Sequence, residues 1–447
     1  MIHARIRTID PMSENTLARH LGLGVLVVYG IGDILGAGIY ALVGKVAGSA
    51  GTDTTLAFAV SAVLALITGL SYAELAARIP HSAGASAYTA NAFKHPFVPF
   101  LVGVLVLMSG VTSAATAALA FHGYLDVFLP LPALLAALIL IAALTALNYY
   151  GIKHSARTNN VLTAIELTGL VVVIVVGLRY ALSTHEPAQL ARSLAPDFNT
   201  TALLAGVTLA FYAFVGFEDL VNLAEEAKDP TRDIPRALLI AIIFSTVVYM
   251  LVVAVVLWTM SPAEAAASPR PLLEVLVRAG QAVPEPLFAV VAIVAISNTA
   301  LANSIMASRL LYGMARQRLL PAPLTRLHST RRTPWVTIVL TALLSLLLVA
   351  SGSVTVLAQT TGAILMLVFL FVHLSAILTR RQGPAPAGRF AAPRVIPYLG
   401  ATLCVLLLTQ FPIAVFQRLA IIVAGSLLVF LLLRMRAAAF VAGTERE

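Results

Sequence analysis

Two short runs hold most of the residues that could do chemistry in an otherwise apolar chain. The first is Gly30-Ile31-Gly32-Asp33-Ile34-Leu35-Gly36-Ala37-Gly38; the second is Phe211-Tyr212-Ala213-Phe214-Val215-Gly216-Phe217-Glu218-Asp219. Each glycine costs a helix about 1 kcal/mol relative to alanine. An aspartate at the centre of a membrane helix costs about 2.5–3.5 kcal/mol. Small residues also let helices pack closely, so the first run alone carries two readings. Matching weak points in two halves of a chain point instead to helices unwound at mid-membrane around a binding site. An unwound helix frees N–H groups at a positive dipole end and C=O groups at the other. The N–H groups suit a carboxylate and the carbonyls suit an ammonium. An amino acid zwitterion presents both.

Other polar residues lie in apolar surroundings. Glu166 sits in the run Asn159-Asn160-Val161-Leu162-Thr163-Ala164-Ile165-Glu166, where a buried carboxyl either titrates or bonds a neighbouring helix. Glu225, Glu226, Lys228, Asp229, Arg232, Asp233 and Arg236 follow the second run. They read as an inner gate with Arg309 or as a solvated turn. His122 reads as a packing histidine or a proton relay. The lone Cys404 forms no intramolecular disulfide and no cysteine-based zinc site. There is no phosphate-binding Gly-x-x-x-x-Gly-Lys-Ser/Thr and no His-Glu-x-x-His, and Gly84-Ala85-Ser86 lacks the context of a nucleophile elbow. No catalytic residue, metal site or cofactor is therefore expected.

The elements that must position these residues follow from composition. The chain has 447 residues, 60% hydrophobic and 11% charged, against about 25% charged in soluble domains. Apolar runs recur at membrane-spanning length, and about twelve spans are expected. They are about Leu21–Ala47, Thr55–Ile79, Phe97–Phe128, Leu134–Tyr150, Asn160–Leu182, Thr201–Ala227, Pro235–Met260, Leu287–Met314, Trp335–Ser351, Thr355–Leu378, Ile396–Phe416 and Arg418–Met435. Residues 80–96 read as a polar loop. All but six of the 29 Lys and Arg lie at the termini and in alternate loops; the six are Lys45, Arg179, Arg192, Arg270, Arg278 and Arg418. The clusters Lys153–Arg157, Lys228–Arg236, Arg316–Arg332 and Arg380–Arg394 thus share one side, which the positive-inside rule makes cytoplasmic, with both termini. The net charge of +9 then reflects topology and anionic lipid, with no nucleic-acid partner. Met1 to His20 lacks the form of a cleaved signal peptide. No loop is long enough to fold alone, so residues 1–447 read as one domain of an inner or plasma membrane protein.

Four motifs, in order, carry a resemblance to a known family: GIGDILGAGIYALVG, SYAELAARIPHSAGASAYTANAF, AFYAFVGFEDLVNLAEEAKDPTRDIPRAL and ASRLLYGMARQRLLP. They resemble the amino acid–polyamine–organocation transporters, and most of all the bacterial relatives of cationic amino acid transporters. The resemblance implies an all-α, five-plus-five inverted repeat of the leucine-transporter type. Spans 1–5 cover about 21–182, spans 6–10 about 201–379, and two extra spans about 396–435. It implies that Gly36, Ala37 and Gly38 offer amides to a substrate carboxylate. The carbonyls of Ile31, Tyr212, Ala213 and Val215 would accept from its ammonium, and Phe214 and Phe217 would lie near the side chain or act as gates.

Asp33 stands where family members often carry a small polar or apolar residue. It would bind the ammonium, bind a cation, or be protonated and structural. Glu166 stands where some proton-coupled relatives carry a lysine bonded to span 1, so it is the candidate for proton coupling. In sodium-coupled relatives of the fold, span 8 supplies hydroxyls to an ion. Asn298, Thr299, Asn303 and Ser304 fit that role or plain interhelical bonding, so H+ is the expected ion with Na+ open. Glu218 could face a cationic side chain. Around the pocket level, though, span 3 offers only Ser109, Thr112, Ser113 and Thr116, which leans toward a neutral amino acid. The expectation is a secondary transporter of amino acids working by alternating access. The alternatives are a polyamine or organic amine carrier and, from other classes, a channel or a membrane-embedded enzyme.

Overall fold

The computed structural model describes residues 21–80, 84–150, 156–280, 283–316, 319–331, 333–384 and 386–444, with 156–158 and 436–444 in backbone only. Met1 to His20 and parts of two basic clusters, residues 151–155 and 317–318 with 332, lie outside them. The described residues are helical: α1 Leu23–Leu35, α2 Ala37–Ala50, α3 Thr54–Arg78, α4 Gly84–Ala92, α5 Phe97–Leu125, α6 Ala133–Tyr150, α7 Ala156–Thr184, α8 Pro187–Ser193 and α9 Thr200–Ala213. After a 3-10 segment at Phe217–Leu223 come α10 Pro230–Thr259, α11 Pro262–Ala267, α12 Pro271–Arg278, α13 Glu285–Arg316, α14 Trp335–Ser351, α15 Val354–Gln382, α16 Ile396–Leu408 and α17 Ile413–Thr444.

Nine segments among the described residues are long and apolar enough to cross a membrane. The first of them, Leu23–Arg78, contains α1, α2 and α3 together; α14 and α16 are apolar but shorter. The outward faces are greasy at helical spacing. Ile243 and Val247 on α10, Leu343 and Leu347 on α14, and Leu428 and Leu432 on α17 are all exposed. In water such faces would be a large aggregation hazard. In lipid they are the natural surface of a multi-pass membrane protein.

Four expectations need correction. The stretch read as polar loop contains α4, whose Tyr88 stacks on Tyr72. The sixth span ends as α-helix at Ala213, well short of Ala227. Short helices α8, α11 and α12 occupy the stretches between the fifth and sixth and between the seventh and eighth spans, which read as loops; α11 starts with a reciprocal Ser261–Glu264 capping box. The eleventh span stops at Leu408, and Ile413–Phe416 belong to α17, which starts directly after Pro412. Proline favours a helix start because its missing N–H would be unpaired there in any case.

Packing brings the two interrupted spans together. Helix α1 runs against α7 and α10, α2 against α9 and α11, and α5 along α13 and α15. Buried Asp53 accepts the backbone amides of Phe198 (2.9 Å) and Asn199 (2.8 Å), fixing the end of α2 to the start of α9. At the arginine-rich end, buried Glu74 on α3 pairs with Arg78 at 3.0 Å and with Arg380 of α15. It also accepts the Ala392 amide at 3.1 Å.

Candidate functional site

Gly36 is the break in the first span. Its backbone (φ −49°, ψ −144°) leaves the helical region for a single residue between α1 and α2. A side chain here would run into the hydroxyl of Thr299 on α13. That hydroxyl accepts the Ala37 amide at 2.9 Å, so one orphan N–H of the α2 terminus already has a partner. Gly38 faces α9, where an added Cβ would meet the Ala213 Cα at 2.7 Å.

Gly216 is the break in the sixth span. Its φ of +125° is open to glycine and strained for other residues. A side chain here would strike the carbonyl of Asp33, so the two breaks are in direct contact. The Glu218 carboxylate turns back and accepts the Gly216 amide at 2.9 Å. It therefore caps its own segment.

Tyr249 on α10 locks the breaks to each other. Its hydroxyl lies between two carbonyls, those of Ala213 (2.7 Å) and Ile34, and shares its one proton between them. The ring stacks on Phe214, 5.1 Å between centroids, and both pack on Phe58. The sequence reading did not single out Tyr249. Its signal was a phenol inside an apolar span, where the polar tip must find a partner.

Between the breaks lies a cavity of about 20 Å³, room for about one water. Asp33, Ala37, Gly38, Tyr212, Ala213 and Val215, all named as candidates from the sequence, line it. Asp219, Ser113, Thr299 and Asn303 line it too. Ile31, Gly36, Phe214, Phe217, Glu218 and Ser109 do not. Ile31 and Gly36 are buried in the same broken segment. Phe214 and Phe217 are buried in aromatic clusters, Phe217 against Tyr72 and Phe369. Ser109 spends its hydroxyl on the Val106 carbonyl, one turn from Ser113, which shares a 3.0 Å hydrogen bond with Tyr212. Two carboxylates, Asp33 and Asp219, line the cavity with no lysine or arginine in its wall. Asp33 Oδ2 is buried and unpartnered. Such a wall favours a bound cation, because an unpaired buried charge is costly.

A second cavity of about 520 Å³ leads from this point toward the arginine-rich end. Asp219 and Glu218 line it together with Arg309, Met314 and residues of α4. Arg309 thus stands in the wall of this second cavity. Glu226 contributes main chain: Leu21 N donates to its carbonyl at 3.0 Å, and Lys228 N to the Leu21 carbonyl at 2.9 Å. This bridge pins the start of α1 to the loop after the 3-10 segment. Glu225, half-buried, precedes it.

Glu166 on α7 bonds a neighbouring helix, α13, where the lysine of some relatives bonds the first span. Its Oε1 accepts from Asn298 at 3.2 Å, and its Oε2 is buried without a partner. Tyr40 of α2 donates to the Glu166 main-chain carbonyl at 2.9 Å. Two of the other span-8 polar groups are spent within α13: Asn303 on the Thr299 carbonyl and Ser304 on the Ala300 carbonyl. His122 bonds the Leu131 carbonyl at 2.8 Å, bracing the turn between α5 and α6.

Residues 21–435 match the family described as amino acid permease. A branched-chain amino acid permease of Bacillus subtilis (strain 168) is 27% identical over 418 residues, 88% of each chain. An uncharacterised transporter of Mycobacterium tuberculosis is 34% identical over 330 residues, 74% of this chain and 73% of its own. Cationic amino acid transporter 4 of Mus musculus is 32% identical over 409 residues, 86% of this chain and 63% of that protein.

Proposed function

The chain belongs to the amino acid permease family, within the amino acid–polyamine–organocation superfamily, and from that premise we propose that it is a proton-coupled secondary transporter of a neutral amino acid. It is a transporter rather than an enzyme, and a multi-pass membrane protein. The observation that carries the proposal is the meeting of two broken helices at one small, acid-lined cavity.

In this reading the substrate carboxylate lies at the N-terminus of α2, against the amides of Gly36 to Gly38 and the Thr299 hydroxyl. The ammonium lies among the carbonyls of Ile31, Tyr212, Ala213 and Val215, with Asp33 or Asp219 as counter-ion. The side chain projects toward Phe214 and Phe217. The cavity admits an amino acid only when the helices around it part, so binding and rearrangement are coupled. Alternating access follows when α1, α2, α3, the α9 segment and α10 rock against the rest, with Glu225, Glu226 and Arg309 at the inner gate. The fold would be twelve spans in a five-plus-five inverted repeat plus two, in the cell membrane with cytoplasmic termini. Glu166 would carry the coupling proton, its unpartnered oxygen being the observation in favour.

A cationic amino acid is the second reading. Asp219 favours it, since one ammonium needs only one of the two cavity carboxylates. Uptake into proteoliposomes decides between them. The proposal expects saturable uptake of neutral amino acids, driven by an inward proton gradient. Uptake of lysine and arginine alone would move the assignment to the second reading. Uptake of polyamines alone would remove the carboxylate half of the site, and flux without saturation would indicate a channel.

A further inference from the structure

Away from the substrate path, a third cavity of about 520 Å³ opens at the arginine-rich end, between the start of α10 and the loop from α15 to α16. Arg232, Arg236 and Arg389 line it, with Thr231, Leu239 and Phe390 beside them, and no carboxylate is in its wall. The acids that flank Arg232 in sequence, Asp229 and Asp233, are engaged at the helix start. Asp229 accepts from Thr231 at 2.9 Å and lies 3.8 Å from Arg232, and Asp233 accepts the Asp229 amide at 3.4 Å. Arg389 spends one nitrogen, Nη1, on the carbonyls of Ala77 and Arg78. That leaves the rest of its guanidinium to the cavity and fixes its position.

The cavity does not stand alone on the surface. Arg232 and Arg236 head a stripe at helical spacing that continues as Ile240, Ile243, Val247 and Leu251, all exposed and apolar. A basic pocket at membrane-interface depth thus sits at the top of a lipid-facing apolar track. Guanidinium groups match phosphate oxygens in a two-pronged geometry. Basic pockets between helices at this level suit acidic headgroups. A soluble phosphate would use the pocket and leave the track unused; a phospholipid uses both.

We propose that this pocket binds the headgroup phosphate of an anionic phospholipid, whose acyl chains lie along α10 at Ile240, Ile243 and Val247. Because α10 also carries Tyr249, the bound lipid sits on the same helix that clamps the two broken spans.

The test uses the purified full-length protein in detergent and follows its thermal stability. Phosphatidylglycerol is titrated against phosphatidylcholine of the same chains and against inorganic phosphate. The proposal expects phosphatidylglycerol to stabilise, phosphatidylcholine to do so at least about tenfold less potently, and inorganic phosphate to have no effect at matched concentration. The exposed pair Arg232→Gln/Arg236→Gln should lose that preference. Arg381→Gln/Arg394→Gln, with the same charge change outside the cavity, should keep it. Equal stabilisation by inorganic phosphate would overturn the lipid assignment. Equal loss in both double variants would overturn the pocket in favour of general surface charge. No preference between the two lipids would overturn the site altogether.

Discussion

At the residue scale, the phenol of Tyr249 ties the two broken spans together. Its hydroxyl serves one carbonyl on each broken span, and removing it leaves two buried acceptors short of a donor. A buried polar group left unpaired costs about 1–3 kcal/mol. Tyr249→Phe should therefore lower the melting temperature and weaken substrate binding severalfold while the ring stack on Phe214 persists. An unchanged melting temperature with unchanged affinity would show that the bridge holds nothing. Glu166 allows a second test. Glu166→Gln keeps a partner for Asn298 but cannot release a proton, so the pH dependence of uptake should flatten while binding persists. A pH profile that survives the substitution would return Glu166 to a purely structural role between α7 and α13.

At the element scale, the two interruptions were legible because glycine clusters in mid-span are costly and so mark a purpose. Gly36 and Gly216 are where the helices break. What the sequence could not show is what the breaks touch. Thr299 is 262 positions from Ala37 and Tyr249 is 215 from Ile34, and no periodicity reports contacts of that separation. Glu218 was read as facing substrate because its type suits a cation. Its turn back onto Gly216 depends on the local backbone, which residue type does not encode. The helix α4 was missed because Pro80, Ser82, Gly84 and Ser86 read as loop formers, while its support comes from the buried Tyr72–Tyr88 contact. The break in the sixth span yields its own prediction. Gly216→Ala places a side chain at φ +125° and against the Asp33 carbonyl, a strain of about 1–3 kcal/mol. The variant should reach the membrane yet bind substrate at least about tenfold more weakly. Wild-type affinity would mean that the contact between the breaks does not shape the site.

At the scale of the whole molecule, the arrangement sets a small central cavity beside a larger one. The cavity between the breaks holds about 20 Å³, whereas the passage beside Arg309 holds about 520 Å³, and Asp219 belongs to both. A substrate leaving the centre toward the arginine-rich end would pass this acid. On the basic face, the Glu74–Arg380 pairing joins α3 to α15. The central claim is that one amino acid is held by its two charges at the two breaks. The most direct measurement is ligand-induced thermal stabilisation of the purified protein. A transported amino acid is compared with the corresponding amine lacking the carboxylate and the corresponding acid lacking the amine, in wild type and in Gly36→Leu. The account predicts stabilisation by the zwitterion alone, lost in Gly36→Leu, whose side chain fills the carboxylate position. Equal stabilisation by the amine, or stabilisation retained in Gly36→Leu, would contradict it.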